Sequence, residues 1–327
     1  MGPSIEAEAL AVLARYPSAV APTSAPEALG GAGGLSGARL WRYPSPVGPM
    51  VLRLWPSDGL GRAHREQVHR WLKRASDLPF VPVPIADRSG ATLQESASGL
   101  WELSRWMPGA SESGGSPPPV RVASAFAALA TFHGRFGDDR RRARSPGLAD
   151  RAGSIAGLIR GGFDELEQAI AADATRELAT RWLALGRRVA PRLLGPAREA
   201  AARTVPLQPC LRDARGEHFL FEDDRVTGLV DFGAMGVDCV ACDLARLIGD
   251  WLDDDPPARA GALAAYERVR PLDPEEAALI PAFGTSAALL IGERWLRWHY
   301  IEGRRFEDPA AVATGLKRSV ERLARMV

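Results

Sequence analysis

Two carboxylates and an imidazole in the stretch 205–251 are the side chains best placed to do chemistry: Asp213, Asp231 and His218. Asp213 and Asp231 flank two short β-type runs, His218-Phe-Leu-Phe221 and Val226-Thr-Gly-Leu-Val230, joined by the acidic turn Glu222-Asp223-Asp224-Arg225. A hairpin folds its two ends together, so carboxylates 18 residues apart in sequence are expected to face one small volume. Two converging carboxylates suit a hard, oxygen-seeking cation such as Mg²⁺ and the phosphates it carries.

Other elements must hold these groups in place. Ile5 to Tyr16 carries Ile5, Ala9, Leu10 and Leu13 at helical spacing and predicts a short helix. The Gly-rich run Gly30 to Gly37 precedes a strand, Ala38 to Tyr43. Glycines there let backbone N–H groups approach a phosphate, which makes Gly33, Gly34 and the hydroxyl of Ser36 candidate nucleotide contacts, although a flexible linker reads equally well. A Pro-rich turn leads to a second strand, Met50 to Trp55. Then come a helix over 60–76 with Val68 and Leu72 inward, an extended connector over 80–85, and strands over 91–95 and 100–107. The run 108–119 is too rich in Pro, Gly and Ser for a helix or a central strand, and separates an expected β-rich lobe, 1–109, by a linker, 110–119, from a helical lobe, 120–327. In that second part Val122, Phe126, Leu129 and Phe132 share one helix face, and His133 reads as a packed side chain. The charge run 138–144 reads as a solvated loop, and helices are expected over 148–170, 175–202, 256–269, 274–302 and 309–326. Trp295 and Trp298 read either as core or as the wall of an acceptor pocket.

Leu211-Arg212-Asp213, His218, Asp231-Phe232-Gly233 and Asp243-Leu-Ala-Arg246, in this order, resemble the catalytic loop, metal element and following helix of the aminoglycoside phosphotransferase and choline kinase family. The resemblance implies an α+β, bilobal, protein-kinase-like fold with a small antiparallel-sheet N-lobe and a larger helical C-lobe. It implies ATP and Mg²⁺ as cofactors and transfer of the γ-phosphate to a small hydroxylated acceptor. Carried over position by position, Asp213 orients the acceptor hydroxyl and accepts its proton, beside Arg212. Asp231, with His218, holds the metal, and Asp243 braces the loop. Arg53 takes the place of the phosphate-binding Lys, with Glu66 as its partner carboxylate. Leu103, Ser104 and Arg105 form the wall against the nucleotide base. Four positions depart from the family pattern: Leu211 replaces His, Arg212 replaces Gly, His218 replaces Asn and Arg53 replaces Lys. A phosphotransferase and a catalytically weak pseudokinase that binds nucleotide or a metabolite both fit these changes.

Composition narrows the classes. Hydrophobic residues make up 46% and charged residues 25% of 327 positions, as in ordinary globular proteins. A net charge of +1 supplies no field for nucleic acid or an anionic membrane, and no run is long enough to span a bilayer. Three cysteines, Cys210, Cys239 and Cys242, make no disulfide framework; a zinc site using the latter two with His218 is a further option, and small buried thiols the simpler one. With no signal peptide legible, a cytoplasmic monomer or homodimer is expected.

Overall fold

Alternation of apolar and polar residues on either side of a Pro-rich turn produces the central hairpin of the molecule. The structure is a computed structural model and describes residues 4–30, 37–57, 59–112, 115, 117–252, 255–306, 308 and 310–327. The chain divides into two compact units of discontinuous stretches: 1–135, 215–236 and 260–269 in one, 136–214, 237–259 and 270–327 in the other.

In the first unit, helix α1 (Ile5–Leu13) starts at Ser4, whose Oγ accepts from the Ala7 N–H. Strands β1 (Glu27–Ala28), β2 (Arg39–Ser45), β3 (Gly48–Trp55), β4 (Gln94–Ser96) and β5 (Gly99–Arg105) form an antiparallel sheet of order β1-β2-β3-β5-β4. The two-residue period of the strands sends Met50, Leu52, Leu54, Trp101 and Leu103 to one face, against Ala9, Val12 and Leu13 of α1. Trp41 and Trp101 meet there at 5.1 Å. Each fully buried large apolar side chain of this kind contributes about 1.5–3 kcal/mol. Leu10, counted in the helical spacing, is 55% exposed; Ala9, Val12 and Leu13 form the buried stripe without it. Gly99 has φ +136, and a Cβ there would run into the carbonyl oxygen of Trp55, so β5 can enter the sheet only through glycine.

The opposite face of the sheet carries Val51, Arg53, Glu102 and Ser104, and is followed by helix α2 (Arg62–Arg74). The buried stripe of α2 is Arg65, Val68, His69 and Leu72, a 3-1-3 spacing that puts two polar groups in line with the two expected apolar ones. A three-stranded sheet of order β10-β9-β6 completes the unit, from β6 (Ala110–Ser111), β9 (Phe219–Glu222) and β10 (Arg225–Leu229). The hairpin read from the sequence is present. Arg225 pairs with Glu222 and Val226 with Phe221 around the turn at Asp223, which has φ 51, and the Val230 N–H donates to the His218 carbonyl at 2.9 Å. Helix α3 (Pro119–Gly134) buries Val122, Phe126, Leu129 and Phe132, and His133 lies fully buried with Nδ1 2.8 Å from the Tyr266 hydroxyl.

In the second unit, β7 (Arg141–Arg144) falls within the charge run read as a loop. It pairs antiparallel with β8 (Thr204–Cys210), and β11 (Gly236–Asp238) lies on the other side of β8. An edge strand needs no apolar side chains, and Arg142 reaches from it to Glu275 and to the Thr204 carbonyl. The expected helix over 148–170 is two helices, α4 (Pro146–Gly157) and α5 (Phe163–Ala169), joined by a π-helical turn over Leu158–Gly162 in which Gly161 has φ 147. Helices α6 (Arg176–Ala202), α7 (Ala241–Trp251), α9 (Pro274–Ala277), α10 (Ile280–Leu296) and α11 (Ala311–Ala324) follow, while α8 (Pro256–Glu267), between α7 and α9 in the chain, belongs from Ala260 onward to the first unit. The core of this unit is built on Trp182, Leu183, Val189, Leu289, Leu296, Leu316 and Leu323. Trp295 packs against this core, and His299 and Tyr300 are tied to Asp173 at 2.8 Å each. Cys210, Cys239 and Cys242 are buried, and burial pushes their thiols up, that of Cys210 to about 12. No helix among the described residues is long and apolar enough to cross a membrane.

Candidate active site

The polar face of the five-stranded sheet, α2 and the ends of the 219–229 hairpin enclose a cavity of about 730 Å³ within the first unit. Its apolar part is made by Leu40, Val51, Val68, Leu72 and Met107; Arg53, Arg65, Glu102, His218 and Asp231 supply the charge and hydrogen-bonding groups. Such a combination of apolar wall and few convergent polar groups is typical of a small-molecule site.

Arg53 is held by strand register. It lies directly opposite Glu102 on β5, and its Nη1 is 3.5 Å from Glu102 Oε1. The other carboxylate oxygen lies 2.8 Å from His69 Nε2, whose Nδ1 is 2.8 Å from the Thr92 hydroxyl. The pairing expected between Arg53 and Glu66 is not the one made: Glu66 lies 3.5 Å from Arg62 one turn back along α2, at the exposed surface of the helix. Burial alone would raise the Glu102 carboxyl, but hydrogen bonding to His69 and the charge of Arg53 outweigh it and hold the group at about 2. A depressed carboxyl stabilises the fold fully above its unfolded value, near 4.5, and loses that contribution as pH falls through about 2. The stability difference between wild type and Glu102→Gln is therefore expected to shrink by on the order of 3 kcal/mol between pH 6 and pH 2. Urea unfolding at a series of pH values measures it, and a difference independent of pH would contradict the assignment.

Asp231 follows β10 with φ 61, a left-handed conformation in which a non-glycine residue is strained. Its Oδ2 lies 3.6 Å from His218 Nε2, and its Oδ1 accepts from the Gly233 N–H at 3.4 Å. Phe232 meets Phe132 of α3 in a tilted ring contact at 5.6 Å, which anchors the turn. Two α2 side chains meet the Gly233 carbonyl, His64 Nε2 at 3.3 Å and Arg65 Nη1 at 3.4 Å. An acidic group, an imidazole and two arginines thus open on one cavity.

In the second unit, β8 runs into the loop Leu211-Arg212-Asp213. Asp243, in the first turn of α7 and fully buried, accepts from the Leu211 N–H and the Arg212 N–H, both at 2.7 Å. Arg212 keeps φ 65 at the position where the family pattern has glycine, and its guanidinium lies 3.8 Å from Asp238 and 3.9 Å from Asp150. Asp213 is 41% exposed, with Oδ1 accepting from Arg246 Nε at 2.9 Å.

Of the remaining expected site residues, Ser104 and Arg105 line the cavity, while Leu103 turns to the core on the other face of β5, because successive strand residues alternate. Gly33, Gly34 and Ser36 lie outside the described residues. Arg65, His69 and Glu102 were not among the expected site residues. The signal for Arg65 and His69 is their place on the same helical stripe as Val68 and Leu72; that for Glu102 is its pairing opposite Arg53.

The sequence profile described as the phosphotransferase enzyme family matches residues 27–280, a span that takes in the cavity-lining strands and both aspartates. The chain belongs to the phosphotransferase enzyme family. This phosphotransferase is 33% identical over 153 residues to a homoserine kinase of Methylobacterium sp. (strain 4-46), an alignment covering 42% of the chain and 47% of that relative. The chain thus spans about half the length of that curated relative. Among solved structures, an aminoglycoside phosphotransferase from Alicyclobacillus acidocaldarius subsp. acidocaldarius superposes with a TM-score of 0.64 at 16% identity, over 99% of this chain and 95% of that one. An amicoumacin kinase in complex with AMP-PNP and Ca²⁺ superposes with a TM-score of 0.59 at 13% identity, over 89% of each chain. At such identities the likeness establishes the fold, which is the α+β, protein-kinase-like one implied by the sequence motifs.

Proposed function

We propose that this phosphotransferase is an ATP-dependent kinase that moves the γ-phosphate to a hydroxyl of a small molecule. The observation that carries the reading is the cavity of the first unit, where the cations Arg53 and Arg65 share one enclosure with the Asp231–His218 pair and an apolar wall. Phosphoryl transfer asks a protein chiefly to position its reactants and offset charge, and these groups are suited to that task. The apolar wall takes the base and Arg53, braced by Glu102 and His69, takes phosphate oxygens. Asp231 and the imidazole of His218 offer an oxygen and a nitrogen donor for a divalent cation; imidazole is a softer ligand than the amide expected there, which favours Mn²⁺ relative to Mg²⁺ more than the usual donor set does. A divalent cation bound there would supply neutralisation of the phosphate charge. Asp213 orients the acceptor hydroxyl and takes up its proton.

The acceptor follows from the relatives only as a class. Homoserine is the first compound to try, given the name of the related kinase, followed by amino alcohols and aminoglycosides. The test is production of ADP and phosphorylated acceptor from ATP across such a panel, with Mg²⁺ and with Mn²⁺. Acceptor-dependent ADP release supports the reading. Nucleotide binding with no transfer to any acceptor would favour the second reading, a nucleotide-binding pseudokinase, which the close pairing of Asp213 with Arg246 supports.

A further inference from the structure

Arg65 is an unusual residue to find in the wall of this cavity. It is 5% exposed, its guanidinium carbon lies 3.4 Å from the centroid of the Trp55 ring, and Arg53 approaches the same ring at 4.8 Å. Arg53 has a carboxylate of its own in Glu102, shared with His69. Among the described residues Arg65 has no such neighbour at contact distance: its Nη1 makes a long bond to the Gly233 carbonyl, and its buried Nε has no hydrogen-bond partner.

A guanidinium carries five N–H donors in a planar fork and stays charged. Burying it with donors unmet is costly, and the cost is offset when a ligand brings anionic acceptors. Trp55 supplies a flat platform that holds the fork in one plane without consuming any donor. The expected carboxylate of α2, Glu66, points away to Arg62, so the helix presents a cation to the cavity instead.

We infer that Arg65 is a second phosphate anchor of the cavity, its fork taking oxygens of the di- or triphosphate of a bound nucleotide while Trp55 fixes its plane; this rests on the reading of the cavity as a nucleotide site. The rival role is structural, a clamp from α2 onto the Gly233 carbonyl. A clamp would affect all ligands of the cavity alike, whereas an anchor discriminates by phosphate.

Calorimetric titration of the full chain with adenosine and with ADP, at one fixed divalent-cation concentration, separates the two. Wild type is expected to bind ADP at least about tenfold more tightly than adenosine. Arg65→Gln should lose about tenfold or more in ADP affinity and stay within about twofold for adenosine. Arg65→Lys, which keeps the charge but not the fork, should fall between them and decides the matter if the Gln variant does not fold. Equal losses for both ligands, or no loss for ADP, would overturn the anchor and leave the nucleotide site standing. Equal wild-type affinity for the two ligands would also overturn the anchor. Wild type that binds neither ligand would overturn the nucleotide reading itself, and the anchor with it.

Discussion

Asp213→Asn is expected to lower acceptor phosphorylation by about 10²–10⁴-fold, the usual loss when a positioned proton acceptor is removed, while the protein stays folded and ADP affinity changes by less than about twofold. The physical basis is the split in location. Asp213 is 41% exposed in the loop after β8, so its carboxylate supports no core. The cavity residues that would hold the nucleotide lie on other segments, 38–111 and 217–232. Asparagine keeps the size of the side chain and an acceptor for Arg246 Nε, but cannot take a proton near neutral pH. Turnover and ADP binding measured on the same preparation give the result. Transfer within tenfold of wild type would remove Asp213 from the role of base, and the charge of Arg246 beside it would then be read as a structural pair.

The parts of this arrangement legible in the sequence are those set by short-range rules. The hairpin around Asp223 follows from two apolar runs and an acidic turn, and the order of Asp213, Asp231-Phe232-Gly233 and Asp243 is a property of the chain itself. What short-range rules miss is which charges meet. Glu66 is the sole acid within 65–70, and the resemblance implies it as the partner of Arg53, but the register of β3 and β5 brings Glu102, 49 residues from Arg53, directly opposite it. His69 reaches Glu102 from α2 because helical periodicity places it on the stripe of Val68 and Leu72. The same two-residue alternation removes Leu103 from the cavity and leaves Ser104 in it. The strand 141–144 was hidden for a different reason: at a sheet edge the backbone makes the pairing, and arginines are as acceptable there as valines.

Asp243→Ala is expected to cost about 2–6 kcal/mol of stability, at roughly 1–3 kcal/mol for each of two N–H donors left without a partner, and to reduce phosphorylation as severely as the loss of Asp213. The carboxylate is fully buried and accepts from consecutive N–H groups, those of Leu211 and Arg212. That pair of hydrogen bonds fixes a turn that would otherwise relax, because Arg212 stands at φ 65, a conformation costing an L-residue roughly 1–2 kcal/mol. Without Asp243 the two N–H groups that hold this turn lose their acceptor, and Asp213, the next residue, moves with the loop. This separates a bracing role from a chemical one. Arg212→Gly removes the strain, since glycine accepts positive φ freely, so it should restore part of the stability and activity lost in Asp243→Ala. It should restore nothing to Asp213→Asn, where the geometry is intact and the proton acceptor is missing. Chemical denaturation and turnover of the two double variants decide between them. Equal rescue of both, or of neither, would mean that Asp243 does not act by holding Arg212 in its left-handed turn.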